Sequence, residues 1–148
     1  MKKEPALVPR ISVHNRQRKI ALSAAALERF ARRALPLCTR ERGGGLTGLE
    51  EIDVLLISDR KISELHRRFM GIAGPTDVIT FQHGEIFISV ETAQRQARTH
   101  RTSIAHELRL YLVHGLLHLH GFDDRDPGCR RRMQSVQEKV VLRASRGA

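Results

Sequence analysis

The sequence predicts one α+β domain spanning residues 1–148, a small mixed sheet packed by about five helices. Three observations predict it. The length suits a single compact domain, and 41% hydrophobic beside 28% charged residues is enough for a packed core. Strand-like and helix-like stretches mix without strict alternation and without an internal repeat, which favours one small sheet over a regular βα array. The segment from His114 to Asp124 places metal-ligand residue types at helical spacing, so a metal site is expected at the end of a His-x-x-x-His helix.

Each element follows from local pattern. Ile11–Val13 reads as an opening strand, followed by the basic stretch from Asn15 to Lys19. A helix is expected from Leu22 or Ser23, with apolar residues at Leu22, Ala26, Leu27, Phe30, Ala34 and Leu35, and Pro36 as its end. Gly43, Gly44 and Gly45 form a loop, and the nearly continuous apolar run from Ile52 to Ile57 is a strand covered on at least one face. Ser58 or Asp59 caps a helix to about Phe69, with Gly71 just past its end. Val78–Phe81 and Glu85–Ser89 face each other across Gln82, His83 and Gly84 as a hairpin. A short polar helix over residues 91–98 precedes a longer one from Ser103 to about His120, stopped by Gly121. Asp126 and Pro127 then cap and begin a last helix to about Arg143.

Composition narrows the function classes. Met1–Pro5 and the proline-broken residues after it are too short for a signal h-region, and Arg109, His114 and His118 interrupt the longest apolar stretch, so no membrane role is expected. Cys38 and Cys129 show no paired spacing, which fits a reduced, cytoplasmic protein. The formal net charge is +10. Residues 1–42 hold 11 Lys and Arg against 3 Asp and Glu, net +8, leaving +2 for the rest. Such a surface attracts a polyanion, with RNA or a ribonucleoprotein the obvious candidate, although charge alone equally describes a solvated surface.

The chemistry is concentrated in His114-Gly-Leu-Leu-His118-Leu-His-Gly121-Phe-Asp-Asp124. Residues four apart on a helix lie one turn above each other, so His114 and His118 can point two imidazoles at one ion. Gly121 ends the helix, the chain reverses, and Asp124 returns over the same face as a third ligand. This is the logic of the H-x-x-x-H-x-x-G-x-x-H zinc sites of metzincin proteases, with Asp in the last place. In a chain of this composition chance supplies the constellation at a rate of roughly 0.005, so the spacing is a specific signal. One Zn2+ per chain is the expected cofactor.

Position 115 decides the reaction class. The H-E-x-x-H proteases use a Glu beside the first ligand as general base, whereas this chain has Gly115, and Glu107 lies two turns too far away. Peptide hydrolysis is therefore disfavoured. A three-ligand zinc with an open position suits phosphodiester cleavage instead. His120 projects about 200° away from His118 and is expected at the surface or facing a loop, and His106 is likewise off the ligand face. Arg67 and Arg68, and Arg130 to Arg132, are solvated helix faces unless they line the metal cleft.

On these residues the chain resembles the YbeY family of metal-dependent endoribonucleases and 16S rRNA maturation factors. Val13 to Arg18 looks like the family's N-terminal strand and basic turn. Gly74–Phe81 is similar to its K-P-T-D-V-L-S-F segment, and Gly84–Ile88 to its G-D-I strand. His106–Leu108, Val113–Leu119 and Gly121–Asp123 match its H-G-x-L-H-L-x-G-Y-D-H signature. The resemblance implies zinc at His114 and His118, a cleft between this helix and the Thr76–Phe81 strand, and single-strand-specific cleavage in rRNA processing. It also implies ribosomal RNA, the small ribosomal subunit or its assembly factors as partners. Two positions depart from the pattern. The family's final histidine falls on Asp124, whose negative charge leaves a bound ion less positive and its water less acidified. The arginine before its P-T segment falls on Met70, with Arg67 or Arg68 the candidate stand-ins. Arg16, Arg18, Lys19, Arg67 and Arg68 are the expected RNA contacts. The leading expectation is a zinc-dependent endoribonuclease; the alternative, favoured by Met70, is a non-catalytic, zinc-stabilised ribosome-assembly or RNA-binding factor.

Overall fold

A computed structural model describes residues 8–147, so the reading of Met1–Pro5 lies outside the described residues. Strand β1 (Arg10–Asn15) is followed by helix α1 (Ala24–Thr39), a single 3-10 turn at Leu46–Gly48 and strand β2 (Glu51–Ile57). Helix α2 (Asp59–Met70) precedes the hairpin of β3 (Val78–Phe81) and β4 (Glu85–Ser89), and helices α3 (Val90–His100), α4 (Ile104–His120) and α5 (Pro127–Arg146) complete the chain. The sheet order is β1-β2-β4-β3, with β1, β2 and β4 parallel and β3 antiparallel to β4. The hairpin register pairs Val78 with Ile88 and Phe81 with Glu85, as its turn residues predict.

Strand alternation sorts the side chains into two cores. Val54, Leu56, Ile86 and Ile88 join the main core with α1, α4 and α5. Ile57 and Ile79, flanked by Leu55, Phe81 and Phe87, pack with Ile62 of α2 on the opposite face. The Ile52–Ile57 run is thus covered on both faces, which explains its lack of alternation. Helix α4 is apolar nearly all round, with Leu108, Leu112, Val113, Leu116, Leu117 and Leu119 buried, as befits a central helix. Gly115 lets it lie against the sheet, since a Cβ there would sit 2.8 Å from Ile86 Cγ2 and 3.3 Å from Thr80 Cγ2.

Capping follows the sequence closely. The side chains of Ser23, Ser58, Ser103 and Asp126 accept from the backbone N–H three residues on, closing the first turns of α1, α2, α4 and α5. Three expectations change. Pro36 does not end α1, because it sits one turn from the terminus, where its missing N–H removes only one ladder bond. The fully buried Leu35 and Cys38 keep that turn on the core. The last helix runs on to Arg146, with Val140, Val141 and Ala144 buried beyond the polar first half. The triglycine is more than a terminator. A Cβ on Gly43 or Gly45 would fall 2.1 Å from His120 O or 1.9 Å from Leu119 O, so this loop wraps the carbonyl end of α4. No helix among the described residues is long and apolar enough to cross a membrane, and both cysteines are free.

Candidate metal centre

The last turn of α4 builds the centre. Gly121 takes the left-handed conformation at φ 115°, and its N–H donates to His118 O while the Phe122 N–H reaches Leu117 O. That reversal returns Asp124 over the helix face that carries His114 and His118. One potential ligand atom from each of the three lies within 4.8 Å of the others. The two Nε2 atoms are 3.0 Å apart, and Asp124 Oδ2 is 3.9 Å from His118 Nε2.

Partners at the other ring nitrogens fix the tautomers. His118 Nδ1 donates to Phe122 O at 3.0 Å, and His114 Nδ1 to Gln137 Oε1 at 2.8 Å. Both Nε2 atoms therefore carry lone pairs that face each other, an arrangement a cation between them relieves. Burial, and next the neighbouring His114, hold His118 below the usual histidine range, outweighing Asp124. A neutral imidazole is the form that ligates. Two histidines and a carboxylate suit zinc, so the residues fit the ion the sequence implies, and Gln137 and the Phe122 carbonyl supply the outer hydrogen bonds that such ligands require.

Sequence reasoning missed Gln137. It lies 23 residues from His114 on another helix, and glutamine carries no ligand signature of its own. Of the two places expected for His120, the structure shows the loop and not the surface. It points away from His114 and His118 and is 1% exposed against the glycine loop: its Nε2 donates to Glu41 O at 2.9 Å, and its Nδ1 accepts from the Leu46 N–H at 3.4 Å. Glu107 is buried at the far end of α4, accepting from Thr102 Oγ1 and facing His100, and takes no part in the centre.

His114 and Asp124 open onto a hollow of about 280 Å³ whose far wall is α5, through Arg130, Met133, Gln134 and Gln137. Strand β3 borders α4 elsewhere, where Thr80 meets Gly115. The cations named from sequence are not gathered here. Arg67 lines a separate hollow with Arg60, Ser63 and Glu64, and the Arg68 guanidinium lies 5.5 Å from the Phe69 ring centre, on a helix whose core is the opposite face of the sheet. Met70 is 49% exposed. Arg16, Arg18 and Lys19 are exposed just beyond β1, and Lys19 pairs with Glu91 at 3.7 Å. The chain following them, Ala21–Ser23, borders Ile104–Arg109 at the other end of α4. Leu108 and His118 are ten residues apart, about 15 Å along the helix.

The family model described as Endoribonuclease YbeY matches residues 12–145. A protein of Gluconobacter oxydans bearing that name is 34% identical over 125 residues, covering 80% of this chain and 74% of its own. One from Anaeromyxobacter sp. is 42% identical over 101 residues, covering 62% and 53%. The solution structure of TM1509 from Thermotoga maritima superposes with a TM-score of 0.65 at 26% identity, covering 90% of this chain and 88% of that one.

Proposed function

The chain belongs to the YbeY endoribonuclease family, and from that premise we propose that it is a zinc-dependent endoribonuclease that cuts single-stranded RNA during 16S rRNA processing. Its partners on this reading are ribosomal RNA and the small ribosomal subunit or its assembly factors, met in the cytoplasm. The observation that carries it is the inward pair of Nε2 lone pairs on His114 and His118 with the Asp124 carboxylate beside them.

A zinc ion on these donors supplies Lewis acidity toward a phosphodiester oxygen and lowers the pKa of water. The chain's own residues do the positioning. Gln137 and the Phe122 carbonyl hold the two rings, the turn at Gly121 sets the height of Asp124, and the glycine loop with His120 anchors the helix end beneath. A Glu at position 115 would have to occupy the space of Ile86 and Thr80, so the base of the H-E-x-x-H proteases has no room here. Exposed Arg16, Arg18, Lys19, Arg67 and Arg68 would hold backbone phosphates away from the cut, positioning the strand rather than reacting with it.

Cleavage of a labelled single-stranded oligoribonucleotide tests the reading. Protein stripped of metal should be inactive and recover with zinc, and Asp124→Ala should lose cleavage while RNA binding persists. Undiminished cleavage by Asp124→Ala overturns it. Zinc and RNA binding without cleavage by the native chain would favour the non-catalytic assembly factor, the reading to which the uncharged, exposed Met70 points.

A further inference from the structure

Helix α5 presents a polar wall to the metal ligands, and one residue in it has no evident structural task. Gln137 is locked onto His114, which fixes the rotation of α5 about its axis. Residues three and seven positions before Gln137 share that face, and Met133 is buried beneath it. Gln134 and Arg130 therefore line the same hollow as His114 and Asp124, and among the described residues lining it Arg130 is the cationic one.

The neighbouring arginines differ. The Arg132 guanidinium is placed over the Phe122 ring at 5.6 Å, and Arg131 is exposed and lines none of the hollows described above. Arg130 makes one marginal hydrogen bond, Nη2 to the Asp124 carbonyl at 3.5 Å, and no ion pair with any described carboxylate. It also belongs to the first turn of α5, whose unpaired N–H groups add positive potential.

Electrostatics gives this placement a use. A divalent ion with two neutral imidazoles and one carboxylate keeps a single net positive charge, and a phosphodiester gains negative charge at its oxygens as it is attacked. A guanidinium matches two phosphate oxygens at once, which an ammonium cannot do.

We propose that Arg130, with the Gln134 amide one turn beyond, forms a phosphate-binding subsite beside the metal ligands, so that α5 supplies the cation that meets the scissile phosphodiester. This rests on the endoribonuclease reading for its substrate, but the phosphate chemistry can be measured separately. Inorganic phosphate is titrated into zinc-loaded and metal-free protein by calorimetry, for the native chain, Arg130→Ala, Arg130→Lys and Arg131→Ala. Arg131→Ala removes the same charge from the next position and controls for general attraction. Zinc content and RNA kinetics are followed in parallel.

The expected result is phosphate affinity about tenfold weaker in Arg130→Ala, intermediate in Arg130→Lys and unchanged in Arg131→Ala, at constant zinc content. Phosphate should compete with an oligoribonucleotide, and Arg130→Ala should lower kcat/KM. Equal losses in Arg130→Ala and Arg131→Ala overturn the subsite, as does a fall in zinc content in Arg130→Ala, which would make the residue a support for the Asp124 loop. Phosphate that binds without competing against RNA also overturns it. Phosphate discrimination in a protein that cuts no RNA sustains the subsite and removes the nuclease reading; cleavage indifferent to Arg130 does the reverse.

Discussion

His114, His118 and His120 share the last two turns of one helix and serve two purposes, separated by which ring nitrogen is tied down. The first two donate from Nδ1 and leave Nε2 inward; His120 spends both nitrogens on the loop at Glu41 and Leu46. An i, i+4 pair followed by glycine and a carboxylate is a local pattern, which is why the grouping of His114, His118 and Asp124 was legible. Gln137 was not, because its role depends on where a second helix packs. It makes a sharp prediction. Gln137→Leu removes the acceptor that orients His114, so zinc affinity should fall about 10–100-fold, with Gln137→Glu restoring it. Competition with a chromophoric chelator measures this; native affinity in Gln137→Leu would dismiss the orienting role.

Among the elements, α4 and the glycine loop around its end decide the site, while α2 packs on the opposite face of the sheet and α3 packs against α4. Caps and hairpin were readable because Ser, Asp and Gly act on their immediate neighbours. The reach of α1 past Pro36 and the closure of Gly43–Gly45 over α4 were not, since both depend on what packs from afar. Asp59, in the first turn of α2, accepts from Ser89 Oγ at 2.6 Å, Thr92 Oγ1 at 2.8 Å and the Arg95 guanidinium. Burial alone would raise its pKa. Hydrogen bonds from Arg95, Ser89 and Thr92, with the Arg95 charge, outweigh that and lower it. A lowered carboxylate adds stability that is present above its unfolded pKa and lost as pH falls through the folded one. Asp59→Asn should therefore lower Tm at neutral pH, and the gap to the native chain should close below about pH 4. Thermal melts at stepped pH decide it; a gap unchanged between neutral and acid pH would contradict the network.

Over the whole molecule, charge and chemistry are set apart. The N-terminal basic turn lies beyond β1, and the chain after it borders the first half of α4, while the three candidate ligands gather at the other end of that helix. The sequence pattern yielded both features but not their separation, because the distance is created by the length of α4 between them. On the proposed reading, an extended polyanion lying along the surface would join them, with α5 beside the metal end. All of this depends on the end of α4 holding an ion. The most direct measurement is metal content by elemental mass spectrometry, on protein purified without chelators or a histidine tag, native chain beside Asp124→Ala. About one zinc per native chain, lost or weakened in the variant, is the predicted result for a three-ligand site; no metal in either protein would contradict it.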